Sequence, residues 1–397
     1  MKKVLLIAPV MSRSGYGEMG RFALRSMITN PDIDLYLHNI NWGKTGWIWK
    51  DDDERKLIDS LLQKSYLYRQ NGGQFDATVQ CTIPNEWQKL SPYDIGYTAG
   101  IETDKVSPDW LLKGNEIDKI ITISSHSAKI YRKTTYDGTD TQTGEPIKDY
   151  RCDTDIECVG FPVKNVSPEE LNINFRHDFN FLCVAQLGPR KNVDAVINNF
   201  IEEFKNEEVG LLLKLNGAND SVIDFHNVSQ TFDLIKTQAK EEGWKCSINL
   251  LHGNLTDEQM SGMYNHPKIK AFVSLSHGEG YGLPLYEAAY NKLPVIATDW
   301  SGHLDFLTMK TGKRNTKQFA AVKYELKEIH PSVVWDTVLQ ADSKWAYIND
   351  ADAKKKMRDV YKNYAKWKKK AEKLAKTYKG EEYWYNKFNE ALGLEST

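Results

Sequence analysis

The chain has 397 residues, of which 41% are apolar and 27% charged, enough for about two domains with buried cores. A formal net charge of -2 excludes a uniformly nucleic-acid-coating surface but leaves room for a local basic patch. No apolar run reaches membrane-spanning length. The five scattered cysteines suit a reducing compartment, so a cytoplasmic protein without a disulfide framework is expected.

The opening MKKVLLIAPVM is too short for a signal peptide, contains Pro9 and leads into Ser-Arg-Ser-Gly rather than a small-residue cleavage site. It reads as a buried strand over residues 4–10, followed by a glycine loop opening a helix, SRSGYGEMGRFALRSM. Strand-like runs recur at 35–40, 77–81, 95–97 and 119–123, with helical patterns between them such as ERKLIDSLLQKSYLY. Residues 134–158 are polar and glycine-containing and read as an insertion without an assigned role.

After IECVGFPV and the linker-like KNVSPEE, a second series starts with the strand FNFLCVAQL and the helix PRKNVDAVINNFIEEF. VGLLLKLNG, SINLLHG, IKAFVSLS and LPVIATD follow as strands. Alternation of strands and helices indicates parallel α/β sheets, hence two doubly wound domains meeting near residue 165. Ligands of such sheets bind at the carboxyl ends of the strands.

One stretch concentrates the chemistry. Between the strand IKAFVSLS and the helix PLYEAAYNKL runs HGEGYGL, with Glu279 in the loop and Glu287 about one turn inside the helix. Proline in the first turn marks the helix start. Backbone N–H groups and the dipole there favour a phosphate, and glycines allow close approach. Two carboxylates flanking such a site suit a ligand with hydroxyls at both ends of a pyrophosphate, as in a nucleotide sugar. Glu102, in GIETD after a strand-like run, falls at the same edge of the first sheet, while His126, at another strand end, reads as structural. Gly15, Gly17 and Gly20 have a dinucleotide-like spacing. No acid ends the second strand, where His38 and Asn39 stand, which disfavours a nicotinamide cofactor. The pairs Asp51–Asp53 and Asp153–Asp155, and Cys152 with Cys158, do not read as metal sites.

HGEGYGLPLYEAAYNKLPVIATDWSGHLDFL resembles the signature of family 4 glycosyltransferases of the GT-B fold, with its Glu-x7-Glu motif. FLCVAQLGPRKNVDAVINNF is similar to the start of that family's nucleotide-binding domain, and GYTAGIETDKVSPDWLLKGNEIDKIITISSHSAKIY to the N-terminal half of some members. The resemblance implies two Rossmann-like domains facing across a cleft: an acceptor-side domain at 1–165, a nucleotide-sugar-binding domain at 166–350, and C-terminal helices at 351–397 packing back toward the first.

It also implies a retaining, metal-independent transferase with a nucleotide sugar as co-substrate and no cofactor. Glu279 would contact the donor sugar, Glu287 the ribose, and backbone at Gly280, Tyr281, Gly282 and Leu283 the phosphates. Lys191 would neutralise the pyrophosphate, with Arg190 substituting for a family arginine replaced by Gln186. Gly15 and Gly17 would face the donor, and Glu102 would lie near the acceptor.

The acceptor stays open. Some phage relatives glycosylate hydroxymethylated pyrimidines in DNA, and others act on glycans, lipids or metabolites. Residues 354–379 carry 12 basic residues against two acids around an apolar stripe of helical spacing, a pattern suited to an anionic partner such as duplex DNA. A GT-B phosphorylase or epimerase, or a non-catalytic binding module, are the rival classes.

Overall fold

A computed structural model describes residues 1–394 except 49, 141 and 313, and omits the side chains of 231 and 311. The chain divides into two compact units. One comprises Met1–Pro162, Glu328–Lys344 and the stretch from Lys379, and the other Val163–Lys327 with Trp345–Tyr378.

In the first unit the elements run β1 (Lys2–Ala8), α1 (Gly15–Ile28), β2 (Ile33–Asn39), α2 (Asp53–Gln70), β3 (Ala77–Cys81), β4 (Tyr93–Thr98), α3 (Pro108–Glu116), β5 (Lys119–Thr122) and α4 (Ser125–Lys133). A hairpin of β6 (Tyr136–Thr139) and β7 (Pro146–Tyr150) precedes β8 (Asp155–Cys158). Six strands form a parallel sheet in the order β2-β1-β3-β4-β5-β8. The apolar runs read as strands are buried on both faces, as parallel sheets require: Val4, Leu6, Val79, Ile95 and Ile120 are fully buried. Residues 134–158 are less irregular than their composition suggests. They hold the antiparallel hairpin and then supply an edge strand to the sheet.

The second unit repeats the plan: β9 (Asn180–Gln186), α5 (Val193–Phe204), β10 (Gly210–Asn216), α6 (Val222–Glu241), β11 (Ser247–Leu251), α7 (Asp257–Tyr264), β12 (Ile269–Ser274), α8 (Leu283–Tyr290) and β13 (Val295–Thr298). Next come α9 (Leu304–Leu307), β14 (Thr308–Thr311), β15 (Arg314–Lys317), β16 (Ala320–Val322), β17 (Tyr324–Glu328), β18 (Lys344–Ile348), α10 (Asp350–Lys362) and α11 (Tyr364–Ala375). Its parallel sheet has the order β11-β10-β9-β12-β13-β16. Strand order therefore reverses between β9 and β12, and the loops leaving those two strands border the crevice where such sheets bind ligands.

The residues expected to form one tail, 351–397, divide between the units. Ala353, Met357, Val360 and Trp367 of α10 and α11 join the core built by Phe181, Phe200 and Phe204, so these helices belong to the second unit. The final helix, α12 (Glu381–Leu392), places Phe388 against Phe22 of α1, with ring centroids 5.4 Å apart, and belongs to the first. A break at Asn363 separates α10 from α11, and both pack in the second unit.

Candidate functional site

The loop after β9 holds a short 3-10 turn, Pro189–Lys191, ended by Asn192 in the left-handed conformation at φ 50°. Asn192 Nδ2 donates to the Leu275 carbonyl at 3.1 Å, tying this loop to the one after β12. The His277 N–H donates to the Arg190 carbonyl at 2.8 Å, a second tie. Arg190 and Lys191 are thereby held against Glu279. Lys191 Nζ lies 2.7 and 2.9 Å from the two carboxylate oxygens, and Arg190 Nη1 lies 3.1 Å from Oε2 while also donating to the Gly278 carbonyl at 2.8 Å.

Glu279 is 4% exposed. Burial would raise its pKa, but Lys191 and then Arg190 outweigh that and hold the carboxyl down at about 2. Its backbone is fixed as firmly as its side chain. The Glu279 N–H donates to Ser301 Oγ at 2.9 Å, and the Gly302 N–H donates to the Glu279 carbonyl at 2.9 Å. Ser301 adopts φ 88°, a conformation uncommon for a residue with a Cβ. A Cβ at Gly302 would stand 2.0 Å from the Gly280 carbonyl oxygen, so only glycine fits there.

The chain then turns at Gly282, with φ 92°, into α8, whose first turn carries Pro284. Glu287 lies in the middle of α8 and its Oε2 accepts from the Tyr264 hydroxyl at 2.8 Å. Burial first, and then Glu287, push the Tyr264 phenol well up, so it stays a donor. Tyr281 packs on Tyr286 and Phe306, with centroids 5.8 and 5.2 Å away. Tyr286 stacks on Phe306 at 4.5 Å, and the Tyr378 hydroxyl donates to the Phe306 carbonyl at 2.9 Å, an aromatic block beneath the glycine loop.

Arg190, Lys191 and Glu279 are thus gathered into one ion cluster, with Gly280–Leu283 and Glu287 continuing from it along the same loop and helix. Gln186 lies at the exposed end of β9. Gly15, Gly17 and Glu102 belong to the first unit. There Ser14 caps α1, accepting from the Gly17 N–H at 3.1 Å, and a Cβ on Gly17 would meet the Ser12 carbonyl oxygen at 2.0 Å. Between the two glycines, half-buried Tyr16 shares a hydrogen bond of 2.8 Å with Thr98 at the end of β4, and burial first, with smaller contributions from Cys81 and Glu102, pushes its phenol up. His126 Nε2 lies 3.2 Å from the Thr103 carbonyl.

Tyr264, Asn192, Ser301 and His303 were not singled out from the sequence. Their side chains meet the motif only through the fold, across separations such as the 23 residues between Tyr264 and Glu287. Asp53 pairs with Lys56 at 3.7 Å, and Asp155 lies 3.9 Å from Lys119. Among the described residues no group of three or more His, Cys, Asp or Glu is arranged to hold a metal ion.

Residues 169–321 match the family model described as Glycosyl transferases group 1. A glycosyl transferases group 1 domain therefore includes the whole Arg190–Lys191–Glu279 cluster. Over 46 residues the chain is 48% identical to the serotype-specific mannosyltransferase WbdA of Escherichia coli, a match covering 12% of this chain and 5% of that protein. The match thus spans about a twentieth of the curated relative's length.

Three solved structures resemble nearly the whole chain. HepE of Anabaena in complex with UDP and glucose is 13% identical, with a TM-score of 0.57, covering 99% of this chain and 100% of that one. A glycosyltransferase from Rickettsia africae is 11% identical, with a TM-score of 0.58 and 98% of each chain covered. The catalytic domain of starch synthase IV from Arabidopsis thaliana, bound to ADP and acarbose, is 11% identical, with a TM-score of 0.57 and 99% of each covered. The fold is GT-B, with the group 1 domain in its second Rossmann-like unit. No helix among the described residues is long and apolar enough to cross a membrane.

Proposed function

We propose that this chain is a retaining glycosyltransferase that moves a sugar from a nucleoside diphosphate sugar to a hydroxyl acceptor, without a metal ion. The observation that carries this reading is the ion cluster of half-buried Arg190 and Lys191 on buried Glu279, at the point where strand order reverses. Two cations beside the glycine turn into α8 supply the charge that a departing diphosphate develops, the work a divalent ion does elsewhere. The Glu279 carboxylate, ionised at neutral pH, accepts from sugar hydroxyls. Glu287, held by Tyr264, takes the ribose. Retention places the incoming hydroxyl on the face the diphosphate leaves, where its proton passes to the departing phosphate oxygen. Among structures of the same fold, HepE holds UDP and glucose and starch synthase IV holds ADP.

For the acceptor we propose duplex DNA carrying a hydroxymethylated pyrimidine. In α11, Trp367, Ala371 and Leu374 face the core, while Lys366, Lys369 and Lys373 lie exposed on another stripe, and Lys376 beyond it is also exposed. The ammonium groups of Lys366 and Lys370 sit 5.6 and 4.5 Å from the Trp367 ring. Burial, opposed by Glu372 and helped by Lys292 and Lys270, pushes Lys368 below the usual lysine value.

The test is a thermal-shift panel of nucleoside diphosphate sugars with and without chelator, followed by transfer to hydroxymethylated and unmodified duplexes. A donor shift unaffected by chelator, with transfer only to the modified duplex, is expected. A shift abolished by chelator removes the metal-free part, and absence of any donor shift removes the reading.

A further inference from the structure

His277 stands two residues before Glu279 in the loop that leaves β12. The loop is irregular, so its backbone groups need partners from outside it. The His277 N–H donates to the Arg190 carbonyl at 2.8 Å, and the His277 carbonyl accepts from the Ala346 N–H at 2.9 Å. The side chain returns to the same residue, with Nδ1 2.8 Å from the Ala346 carbonyl oxygen. A carbonyl oxygen only accepts, so Nδ1 carries the proton and donates. His277 and Ala346 thereby exchange hydrogen bonds in both directions across 69 residues of sequence. Trp345 lies nearly parallel to the imidazole, with centroids 5.3 Å apart and planes at 11°, and Tyr347 packs at 4.5 Å. Burial, opposed by the bond to the Ala346 carbonyl, pushes the imidazole below its ordinary value, so the ring is neutral and adds no third cation to the cluster.

What this clasp governs is Arg190. The His277 N–H holds the Arg190 carbonyl, and the adjacent Gly278 carbonyl accepts from Arg190 Nη1 at 2.8 Å. Consecutive residues thus fix both the main chain and the side chain of Arg190, and the same Nη1 lies 3.1 Å from Glu279 Oε2. A rotation of the His277 peptide would move both ends of Arg190 relative to Glu279. Ala346 belongs to β18, which pairs with β17 in a two-stranded ribbon separate from the six-stranded sheet. The imidazole fastens this ribbon to the loop. We propose that His277 is a positioning residue: its ring bond to β18 sets the peptide that orients Arg190 against Glu279, and so tunes the stabilisation of the departing diphosphate. This inference rests on the nucleotide-sugar reading above and adds to it a residue that acts through Arg190 and Glu279.

The experiment compares wild type with His277→Phe, which keeps an aromatic ring beside Trp345 but removes the Nδ1 donor, and with His277→Asn, whose amide nitrogen stands in for Nδ1. Turnover, by transfer or by hydrolysis, is followed with the donor that the thermal-shift panel selects, and calorimetry with UDP and ADP gives diphosphate affinity. His277→Phe should lower kcat about tenfold to a hundredfold, the scale of a small misplacement of a charge-stabilising group, and change KM for the donor by no more than about threefold. His277→Asn should recover kcat to within about threefold of wild type. In a Glu279→Gln background the further change to His277→Phe should cost little, because both act on one cluster.

An unchanged kcat in His277→Phe, an equal loss in His277→Asn, or a loss that adds in full to that of Glu279→Gln overturns the inference and leaves the ring a packing role alone. Should His277→Phe fail to fold, His277→Asn carries the test, and a loss in kcat beyond about threefold overturns the inference. Failure of both variants to fold assigns the residue to stability and overturns it as well. If wild type binds neither UDP nor ADP and the panel selects no donor, the transferase reading falls and this one with it. Donor turnover by wild type with an unaffected His277→Phe removes this one alone.

Discussion

Replacing Glu279 by glutamine tests whether the ion cluster is as strong as its geometry implies. The carboxyl is depressed from the usual 4.5 to about 2 in a site that is 4% exposed. At 1.36 kcal/mol per unit, this corresponds to about 3 kcal/mol of coupling that favours the folded, ionised state. The folded pKa lies below the unfolded one. The contribution is therefore complete above about pH 4.5 and is lost as the pH falls through about 2. Linkage leaves less than half of it at pH 3. Glu279→Gln should then unfold about 3 kcal/mol more easily than wild type in urea at pH 7, with a clearly smaller gap at pH 3.

The same substitution releases Arg190 and Lys191 from their internal anion. Nucleoside diphosphate should consequently bind the variant about tenfold more tightly, a gain of about 1.4 kcal/mol, while turnover falls because the sugar contact is gone. Titration calorimetry with UDP and ADP, beside denaturation at both pH values, measures all of this. A gap that does not shrink with acid, or weaker diphosphate binding by the variant, would refute the reasoning.

Glu287→Gln should chiefly raise KM for the donor, since a ribose contact exists before and after transfer. Tyr264→Phe should reproduce part of that effect by freeing Glu287 Oε2, and steady-state kinetics of both variants checks the pair. Gly302→Ala forces a Cβ to within 2.0 Å of the Gly280 carbonyl oxygen and should cost about 1–3 kcal/mol in chemical denaturation, together with donor binding. Reversing charge at Lys366, Lys369, Lys373 and Lys376 should flatten the salt dependence of duplex binding, expected near -0.9 in log–log slope per phosphate contacted, while leaving donor hydrolysis unchanged. Absence of duplex binding by wild type at low salt would remove DNA as the acceptor.

The two doubly wound units were legible because parallel strands buried on both faces read as continuous apolar runs. The Glu279 loop was legible for a local reason: strand, glycine turn, proline and helix are adjacent in sequence. What escaped is non-local. Nothing near Arg190 says that its guanidinium reaches a glutamate 89 residues away. Nothing in the basic stretch says that α10 and α11 pack in one unit while α12 packs in the other, because the buried positions Met357 and Val360 of α10 and Phe388 and Leu392 of α12 are equally apolar. The hairpin at 136–150 escaped because its strands are mostly exposed and show no apolar alternation. Residues 308–348 alternate short strands with polar turns, too brief for a period to emerge.

The pairing also alters how the two cations should be understood. Arg190 and Lys191 precede the N-terminus of α5, where the helix dipole disfavours positive charge. The family resemblance led us to expect these cations to meet the pyrophosphate of a bound donor. The structure supplies an internal anion, since Glu279 accepts from both. On the proposed reading, a diphosphate entering this site meets cations already neutralised, so resting affinity is held down by the carboxylate. During transfer the charge on the leaving diphosphate grows while the sugar next to Glu279 becomes electron-poor. Carboxylate and cations then each gain a stronger partner at the same moment. An ion cluster that divides between the two fragments of the donor therefore stabilises the transition state more than the bound substrate, which is the difference catalysis requires.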